Sequence, residues 1–215
     1  MAGSADIPQT LEVVLASASP RRRQLLEEAG VAFRVHAADA DESLEPDLAA
    51  NPPEAAKKLA ERKAHAAVEE LLAGGFTGTM AVVASDTMVV LDGRIFGKPR
   101  DAADARAMLQ SLSGRTHQVM TAVSVWMVHC GEGDDVGLAY RTFLDTTAVT
   151  FRPLDDAAID AYIATGDPFD KAGAYGIQSG GGAFVEAIDG SLDTVIGLPV
   201  ERLLAEFPFL RDGAL

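Results

Sequence analysis

Segments with the pattern of buried strands alternate with segments that have the pattern of helices, and this alternation constrains the fold more than any other feature. Residues 11–16 form a short apolar run with two valines, which is typical of a buried strand. Ser19 and Pro20 follow it and suit the N-cap and the first turn of a helix. No internal repeat or low-complexity linker divides the chain. The pattern predicts an α/β fold with a mixed sheet, in which any two lobes share one continuous cleft.

The same reasoning assigns the other elements. We predict helices over residues 20–29, 51–74, 101–112, 155–164 and 200–207. We predict strands over residues 11–16, 31–37, 81–85, 88–91, 94–96, 118–128, 142–151, 183–188 and 192–196. Asp-Gly pairs at 92–93 and 189–190 predict two hairpins. Residues 38–50 are predicted to be irregular, and residues 129–139 to form an exposed loop.

Acidic residues outnumber basic ones: there are 32 Asp and Glu against 18 Lys and Arg, which gives a net charge of −14. A protein that binds a nucleic acid polymer needs many cationic contacts to phosphates, so this balance argues against such a partner. A small anionic ligand is compatible with it, because a local cationic pocket can lie on an acidic surface.

The sequence lacks signals for cross-linking and targeting. Cys130 is the single cysteine, so no intramolecular disulfide can form. Residues 1–10 lack the basic start and apolar run of a signal peptide, and no apolar run reaches about 18 residues. We therefore predict a flexible N-terminal extension over residues 1–10, one domain over residues 11–215, a cytoplasmic location and no membrane partner.

Three arginines, Arg21, Arg22 and Arg23, follow Ser17 at the predicted start of the first helix. The N-terminus of a helix carries partial positive charge, so a cation there is disfavoured by about 0.3–1 kcal/mol. A bound anion would relieve this, because helix N–H groups, the Ser17 hydroxyl and an arginine fork together bind phosphate. The alternative is a solvated basic helix start.

Asp86 interrupts two apolar runs at a predicted strand end. A carboxylate is costly to bury there unless it is paired, hydrogen-bonded or bound to a metal. Asp86 is therefore a candidate general base or metal ligand. The alternative is a turn carboxylate that accepts backbone hydrogen bonds.

Two lysines and a glutamate are further candidates. Lys98 lies between a glycine and a proline and either reaches a phosphate or is an ordinary loop lysine. Lys63 lies beside the apolar stripe of the long helix, where it either faces a site or snorkels to solvent. Glu42 belongs to a short acidic run that either is solvated or holds a divalent cation.

A glycine-rich segment over residues 167–182 contains Gln178, whose amide offers a donor and an acceptor, as recognition of a nucleobase edge requires. The alternative is a flexible surface loop. The four histidines lack the spacing of a zinc site, and the sequence has no Walker or Rossmann motif.

Several motifs in this order resemble the Maf family of nucleotide pyrophosphatases over about residues 11–207. The matching stretches are Leu15-Ala-Ser-Ala-Ser-Pro-Arg-Arg, Asp41-Glu, Arg62-Lys-Ala, Ser85-Asp-Thr, Gly97-Lys-Pro, Gly114-Arg-Thr-His-Gln-Val-Met-Thr, Asp170-Lys-Ala-Gly-Ala-Tyr-Gly-Ile-Gln and Val195-Ile-Gly-Leu-Pro. The resemblance implies a Maf-like domain with a two-lobed α/β fold, similar to the inosine triphosphate pyrophosphatases, and a homodimer. It also implies hydrolysis of nucleoside triphosphates to the monophosphate and pyrophosphate with a divalent cation, Mg²⁺ or Mn²⁺.

The resemblance suggests a role for each candidate. Asp86 would act as general base or position the attacking water, and Glu42 and Asp86 would hold the metal. The phosphates would be bound by Ser17, Arg22, Lys63 and Lys98. Arg21, Thr87 and Gln178 would read the base, since they match the pattern of dTTP/UTP pyrophosphatases, whereas relatives resembling methyl-GTP hydrolases have Trp, Gln and Glu there. The alternative function is a nucleotide-binding regulator of septum formation without significant hydrolysis.

Overall fold

The structure is a computed structural model that describes residues 11–131 and 136–212. The extension predicted over residues 1–10 lies outside the described residues. The strands are β1 Leu11–Leu15, β2 Arg34–Val35, β3 Gly78–Leu91, β4 Arg94–Phe96, β5 Thr116–Cys130, β6 Val136–Phe151 and β7 Val185–Asp189. The α-helices are α1 Pro20–Glu28, α2 Pro46–Ala49, α3 Pro52–Ala73, α4 Ala102–Leu112, α5 Asp156–Ala164, α6 Leu192–Ile196, α7 Val200–Glu206 and α8 Phe209–Asp212. Short 3-10 turns lie in the glycine-rich segment at Asp167–Asp170, Ala172–Ala174 and Gly180–Phe184.

Seven strands of the described chain form one sheet in the order β2-β1-β3-β5-β6-β7, with β4 also paired to β3. β1 runs parallel to β2 and β3, and the other pairs are antiparallel. The predicted mixed α/β fold, with helices flanking the sheet, is confirmed. The predicted pairing of residues 118–128 with residues 142–151 and the hairpin at 92–93 are also present.

Alternate residues of β3 face opposite sides of the sheet. On both sides, the apolar core is interrupted where residues 85–87 lie. On one side Val83 packs with α1 and α7, while Val89 packs with α4 and α5. On the other side Ala84 packs with the C-terminal half of α3, while Met88 packs with its N-terminal half. Residues 85–87 separate these clusters, so the core has two parts that meet at a polar boundary.

Helix α3 crosses this boundary on one side of the sheet. Its buried face is rich in alanine, and the small side chains let the helix lie close to β3. Ala60 belongs to the cluster around Met88, and Ala64 belongs to the cluster around Trp126. Lys63 lies between these two alanines, so the helix places its ammonium group at the boundary between the two parts of the core.

One edge of β3 is open at the same boundary. β1 pairs with β3 as far as Leu15 and Val83, and β4 begins its pairing with β3 at Phe96 and Val89. Between these points no described strand covers that edge of residues 84–88. The chain thus leaves a gap beside three consecutive polar residues, 85–87.

The predicted break in β3 is wrong. Residues 78–91 form one continuous strand, in which Asp86 lies opposite Ala122 of β5. The ladder with β5 carries the strand through this position, and the buried carboxylate is compensated by Lys63.

The predicted loop at 129–139 is wrong at both ends, because β5 continues to Cys130 and β6 begins at Val136. Pairing across the ladder extends both strands, and Trp126 stacks on Tyr140 with ring centroids 4.5 Å apart.

Two smaller predictions are also corrected. Residues 192–196 form α6 and not a hairpin strand; Asp193 favours the first turn of a helix through the dipole, and Gly197 ends it at a φ of 127°. The strand predicted over residues 31–37 is limited to the two exposed residues of β2, and the irregular region 38–50 contains the short helix α2. None of the described helices is long and apolar enough to span a membrane.

Candidate active site

The candidate site lies at the open edge of β3, beyond the carboxyl end of β1. Ligands in open α/β sheets bind in the crevice outside the carboxyl ends of parallel strands. The chain leaves β1 through Ser17 and enters α1 at Pro20, while Asp86 and Thr87 point to opposite faces of β3. A ligand in the gap is therefore within reach of side chains from both faces.

On the face covered by α3, one ammonium group joins two carboxylates. Lys63 Nζ lies 2.6 Å from Asp86 Oδ1 and 2.7 Å from Glu42 Oε1. Asp86 is only 7% exposed, whereas the Glu42 side chain is 56% exposed. The hydrogen bond from Lys63 is the main cause that lowers the pKa of Glu42, with help from the charges of Lys98 and Arg22. Glu42 is thus held as an anion, and its carboxylate shares one ammonium group with Asp86 beside the open edge of β3.

On the opposite face, the Arg22 guanidinium reaches across the gap. Its Nη1 donates to the Ser85 carbonyl at 2.8 Å, its Nη2 to Thr87 Oγ1 at 3.2 Å and its Nε to the Gly197 carbonyl at 3.0 Å. Burial lowers the pKa of Arg22, and the negative charge of Asp86 opposes this effect. Arg22 therefore ties α1, β3 and the end of α6 together.

Arg22 and Ser17 each keep one hydrogen-bond donor that no described group of the fold accepts. A guanidinium has five N–H donors, and a longer bond of 3.4 Å from Nη1 to Ser17 Oγ makes four that are in use. Ser17 Oγ also accepts from the backbone N–H of Ser19 at 3.2 Å. Both acceptor positions of Ser17 are filled, so its own proton is available for an anionic oxygen in the gap.

Ser19 caps α1 as predicted, because its side chain accepts from the backbone N–H of Arg22. The three arginines diverge from this helix start. Arg23 pairs with Glu27 on the exposed surface at 3.3 Å. Arg21 is half-buried, and its charge adds to the hydrogen bond from Lys171, the main cause that lowers the pKa of Asp170 in the glycine-rich segment. The predicted cluster of three cations is thus divided, and it is Arg22 that donates hydrogen bonds to β3.

Lys98 and Gln178 are both exposed. Lys98 lies close enough to Glu42 to lower the pKa of that carboxyl. Gln178 follows the turn at Ala172–Ala174, where the Gly173 backbone N–H donates to the Gly97 carbonyl at 3.0 Å. A Cβ on Gly173 would lie 2.9 Å from both Val89 methyl carbons, so the glycine-rich segment packs directly on β3 two residues beyond Thr87.

Two features of the site were missed by sequence reasoning. Lys171 is a scaffold residue: its ammonium group bonds the Asp167 side chain at 3.0 Å and the Asp170 side chain at 2.6 Å. Gly197 supplies the carbonyl that receives both Arg22 and the Ser85 hydroxyl, the latter at 3.0 Å. The Val195-Ile-Gly-Leu-Pro motif was the signal for Gly197, but a backbone acceptor leaves no side-chain signature.

The donor set suits a hard divalent cation. Mg²⁺ is commonly bound by one or two carboxylates together with substrate phosphates, and Mn²⁺ accepts the same oxygen ligands. Glu42 and Asp86 provide two carboxylates that approach one ammonium group within 2.7 Å. No group of three or more His, Cys, Asp or Glu side chains within the described ranges is arranged to hold a metal ion, so a cation here depends on ligand oxygens as well.

Comparisons with known proteins cover almost the whole chain. A family model described as Maf-like protein matches residues 12–208. The dTTP/UTP pyrophosphatase of Chromobacterium violaceum is 47% identical over 203 residues, covering 92% of this chain and 95% of the relative. The dTTP/UTP pyrophosphatase of an Anaeromyxobacter species is 48% identical over 188 residues, covering 87% and 84%. That of Bacillus cytotoxicus is 41% identical over 201 residues, covering 94% and 96%.

Two solved structures were also matched. A nucleoside-triphosphatase (dITP/XTP pyrophosphatase) of Mycobacterium abscessus has a TM-score of 0.42 at 17% identity and covers 94% of this chain and 97% of its own. The Ham1 protein of Staphylococcus aureus has a TM-score of 0.38 at 15% identity, with coverages of 65% and 71%.

Proposed function

The chain belongs to the Maf family, and from this premise we propose that it is a nucleoside triphosphate pyrophosphatase that hydrolyses dTTP and UTP to the monophosphate and pyrophosphate. The observation that carries the proposal is the placement of Asp86. This nearly buried carboxylate lies at the open edge of β3, between the cations Lys63 and Arg22. A protein that only binds nucleotides has no need of such a carboxylate, so the regulatory alternative is not favoured.

In the proposed reaction, a water molecule attacks the α-phosphorus, and the bond from that phosphorus to the oxygen bridging to the β-phosphate breaks. Asp86 orients the water and accepts its proton, and pyrophosphate leaves with the bridging oxygen. A positioned base of this kind contributes about 10²–10⁴-fold to the rate. A divalent cation held by Glu42 and Asp86 would neutralise negative charge on the triphosphate.

The remaining residues bind and orient the substrate. Ser17 directs its free proton at a phosphate oxygen, and Arg22 has one N–H left for the same purpose. Lys63 and Lys98 offset the charge that moves onto the pyrophosphate leaving group. The base is read by Arg21, Thr87 and Gln178. Thr87 Oγ1 accepts from Arg22 at 3.2 Å, and Gln178 belongs to the glycine-rich segment that packs on β3 beyond Thr87.

A substrate panel tests the proposal. The protein is incubated with dTTP, UTP, CTP, GTP and methyl-GTP in the presence of Mg²⁺, and pyrophosphate and orthophosphate are measured separately. We expect pyrophosphate from dTTP and UTP in preference to the other nucleotides. Fastest turnover of methyl-GTP would refute the specificity, and release of orthophosphate would identify a phosphatase instead. Omission of Mg²⁺, followed by addition of Mn²⁺, tests the cation.

Substitution of the proposed base tests the mechanism. Asp86→Asn keeps the size of the side chain but cannot take up the proton, so we expect kcat to fall by about 10²–10⁴-fold. Asp92→Asn, at the exposed turn after β3, is the matched control and is expected to keep its activity. Full activity of Asp86→Asn would show that another group acts as the base.

The homodimer and the cytoplasmic location remain proposals that follow from family membership. Sedimentation of the purified protein at several concentrations tests the first, since a homodimer predicts twice the mass of the 22.5 kDa chain.

A further inference from the structure

A line of hydrogen bonds crosses the sheet from Thr87 to the backbone of α6. Thr87 lies directly opposite Thr121 in the ladder between β3 and β5, and their hydroxyl oxygens are 2.9 Å apart. The Thr121 hydroxyl in turn bonds the carbonyl oxygen of Thr194 at 2.7 Å. Thr121 and Thr194 are both fully buried, so this line is closed to solvent at its inner end.

The direction of these bonds follows from counting protons. A hydroxyl group has one proton, and a carbonyl oxygen can only accept. Thr121 must therefore donate to Thr194, and it has no proton left for Thr87. It follows that Thr87 donates to Thr121. Arg22 Nη2 then donates to Thr87 Oγ1 at 3.2 Å. The Thr87 hydroxyl keeps one acceptor position and no donor for any further partner.

Of the two threonine hydroxyls, the one on Thr87 is the one that a ligand at the edge of β3 can approach. Thr87 is half-buried, in contrast to the fully buried Thr121. Gly197 lies close beside Thr87, because a Cβ at residue 197 would lie 3.2 Å from both Thr87 Oγ1 and Arg22 Nε, so a larger residue there would crowd both groups. A ligand that approaches Thr87 therefore meets a hydroxyl that can accept a hydrogen bond but has no proton to donate.

We propose that Thr121 is a positioning residue that fixes Thr87 as a hydrogen-bond acceptor, and that Thr87 thereby selects bases that present a ring N–H. This inference rests on the proposed function. Uracil and thymine carry a proton on N3, whereas N3 of cytosine is an acceptor. Two acceptors that face each other are both left unpaired, and a site built for one hydrogen-bonding edge rejects the other for that reason. The line of hydrogen bonds from Thr87 through Thr121 to Thr194 thus accounts for selection of UTP and dTTP against CTP.

Substitutions at Thr121 test whether this residue fixes Thr87 as an acceptor. Thr121→Val keeps the shape of the side chain but removes the acceptor, so the Thr87 proton becomes free to turn towards the ligand. We expect the ratio of kcat/KM for UTP to that for CTP to fall by about tenfold, the factor that corresponds to one hydrogen bond of about 1.4 kcal/mol. Thr121→Ser keeps the hydroxyl and is expected to keep the native ratio of kcat/KM for UTP to that for CTP.

Thr147→Val provides the matched control. Thr147 is also fully buried and also donates to a carbonyl beside α6, that of Ser191 at 2.9 Å, whereas the described hydrogen-bond partners of the Thr87 hydroxyl are Arg22 and Thr121. We expect Thr147→Val to change the activity towards UTP and CTP by the same factor, which leaves their ratio unchanged. A fall of the ratio in both valine variants would show a general effect on packing and would overturn the proposal.

The native protein provides a test that does not depend on folding of a variant. N3-methyl-UTP lacks the N–H donor, and we expect it to be hydrolysed at least about tenfold less efficiently than UTP. Equal hydrolysis of UTP, CTP and N3-methyl-UTP would overturn this inference but leave the pyrophosphatase activity in place, as would an unchanged ratio in a folded Thr121→Val variant. Absence of pyrophosphate release from UTP and dTTP would overturn both.

Discussion

Replacement of Lys63 by methionine is expected to destabilise the protein by about 2–3 kcal/mol at pH 7. The substitution keeps the length of the side chain on α3 but removes the ammonium group that lies 2.6 Å from Asp86 and 2.7 Å from Glu42. Loss of one partner from a buried ion pair costs about 3–5 kcal/mol. We expect a loss below that range for two reasons. Glu42 is largely exposed, and exposed ion pairs contribute about 1 kcal/mol at most. The positive charge of Arg22 also remains to stabilise the Asp86 carboxylate.

The effect is expected to depend on pH with a definite sign. The pKa of Glu42 is lowered from its ordinary value of 4.5 in the folded protein, chiefly by the hydrogen bond from Lys63. The stability that this bond contributes is therefore fully present above pH 4.5 and is lost as the pH falls through the lower folded-state pKa. The difference between the native protein and Lys63→Met should shrink in the same range.

Urea unfolding at pH 7 and pH 4, followed by circular dichroism, measures both quantities. Lys57→Met is the matched control on the same helix, because Lys57 pairs with Glu54 on the exposed face, and we expect a change below about 0.5 kcal/mol. An equal loss of stability for the two variants, or a loss for Lys63→Met that does not decline towards low pH, would refute the reasoning.

Two further predictions concern packing and protonation near the glycine-rich segment. Gly173→Ala is expected to lower the free energy of unfolding by about 1–3 kcal/mol, because the new Cβ would lie 2.9 Å from both Val89 methyl carbons at a φ of 70°. Thermal unfolding measures this loss, and recovery of stability in the double variant with Val89→Ala would identify the clash as its cause. Unchanged stability of Gly173→Ala would contradict the prediction. Burial lowers the pKa of His117 to about 4, so stability should decline by up to about 1.4 kcal/mol per pH unit as the pH falls from 6.5 towards 4. His117→Phe should flatten that decline, and the exposed control His65→Phe should not.

Features of the chain that depend on local sequence were predictable. The cap at Ser19 and the helices α3, α4, α5 and α7 follow from capping residues and periodicity, and the structure has all of them. The mixed α/β class follows from the order of these elements. The length of β5 and β6 did not follow, because these strands extend through cross-strand pairing, which no local window of sequence contains.

The candidate residues were identified through their motifs, but their arrangement could not be. Asp86 and Thr87 are neighbours in sequence and lie on opposite faces of β3, because the period of a strand is two residues. The arginines after Ser19 look like one cationic cluster, yet Arg22 turns inwards to a carbonyl 175 positions away while Arg23 pairs on the surface. These directions are set by tertiary contacts with partners that are remote in the sequence.

Whether the hydroxyl groups of Ser17 and Thr87 donate or accept hydrogen bonds could not be predicted from the sequence either. Ser17 and Thr87 are interchangeable as donors or acceptors when they are read from the sequence. The fold distinguishes them: Ser17 Oγ accepts from two N–H groups and keeps its own proton, whereas Thr87 donates its proton to the buried Thr121 and keeps a lone pair. If discrimination between bases arises in this way, a residue that never touches the nucleotide determines it, and substitutions at Thr121 will alter substrate choice while leaving the groups around the triphosphate in place.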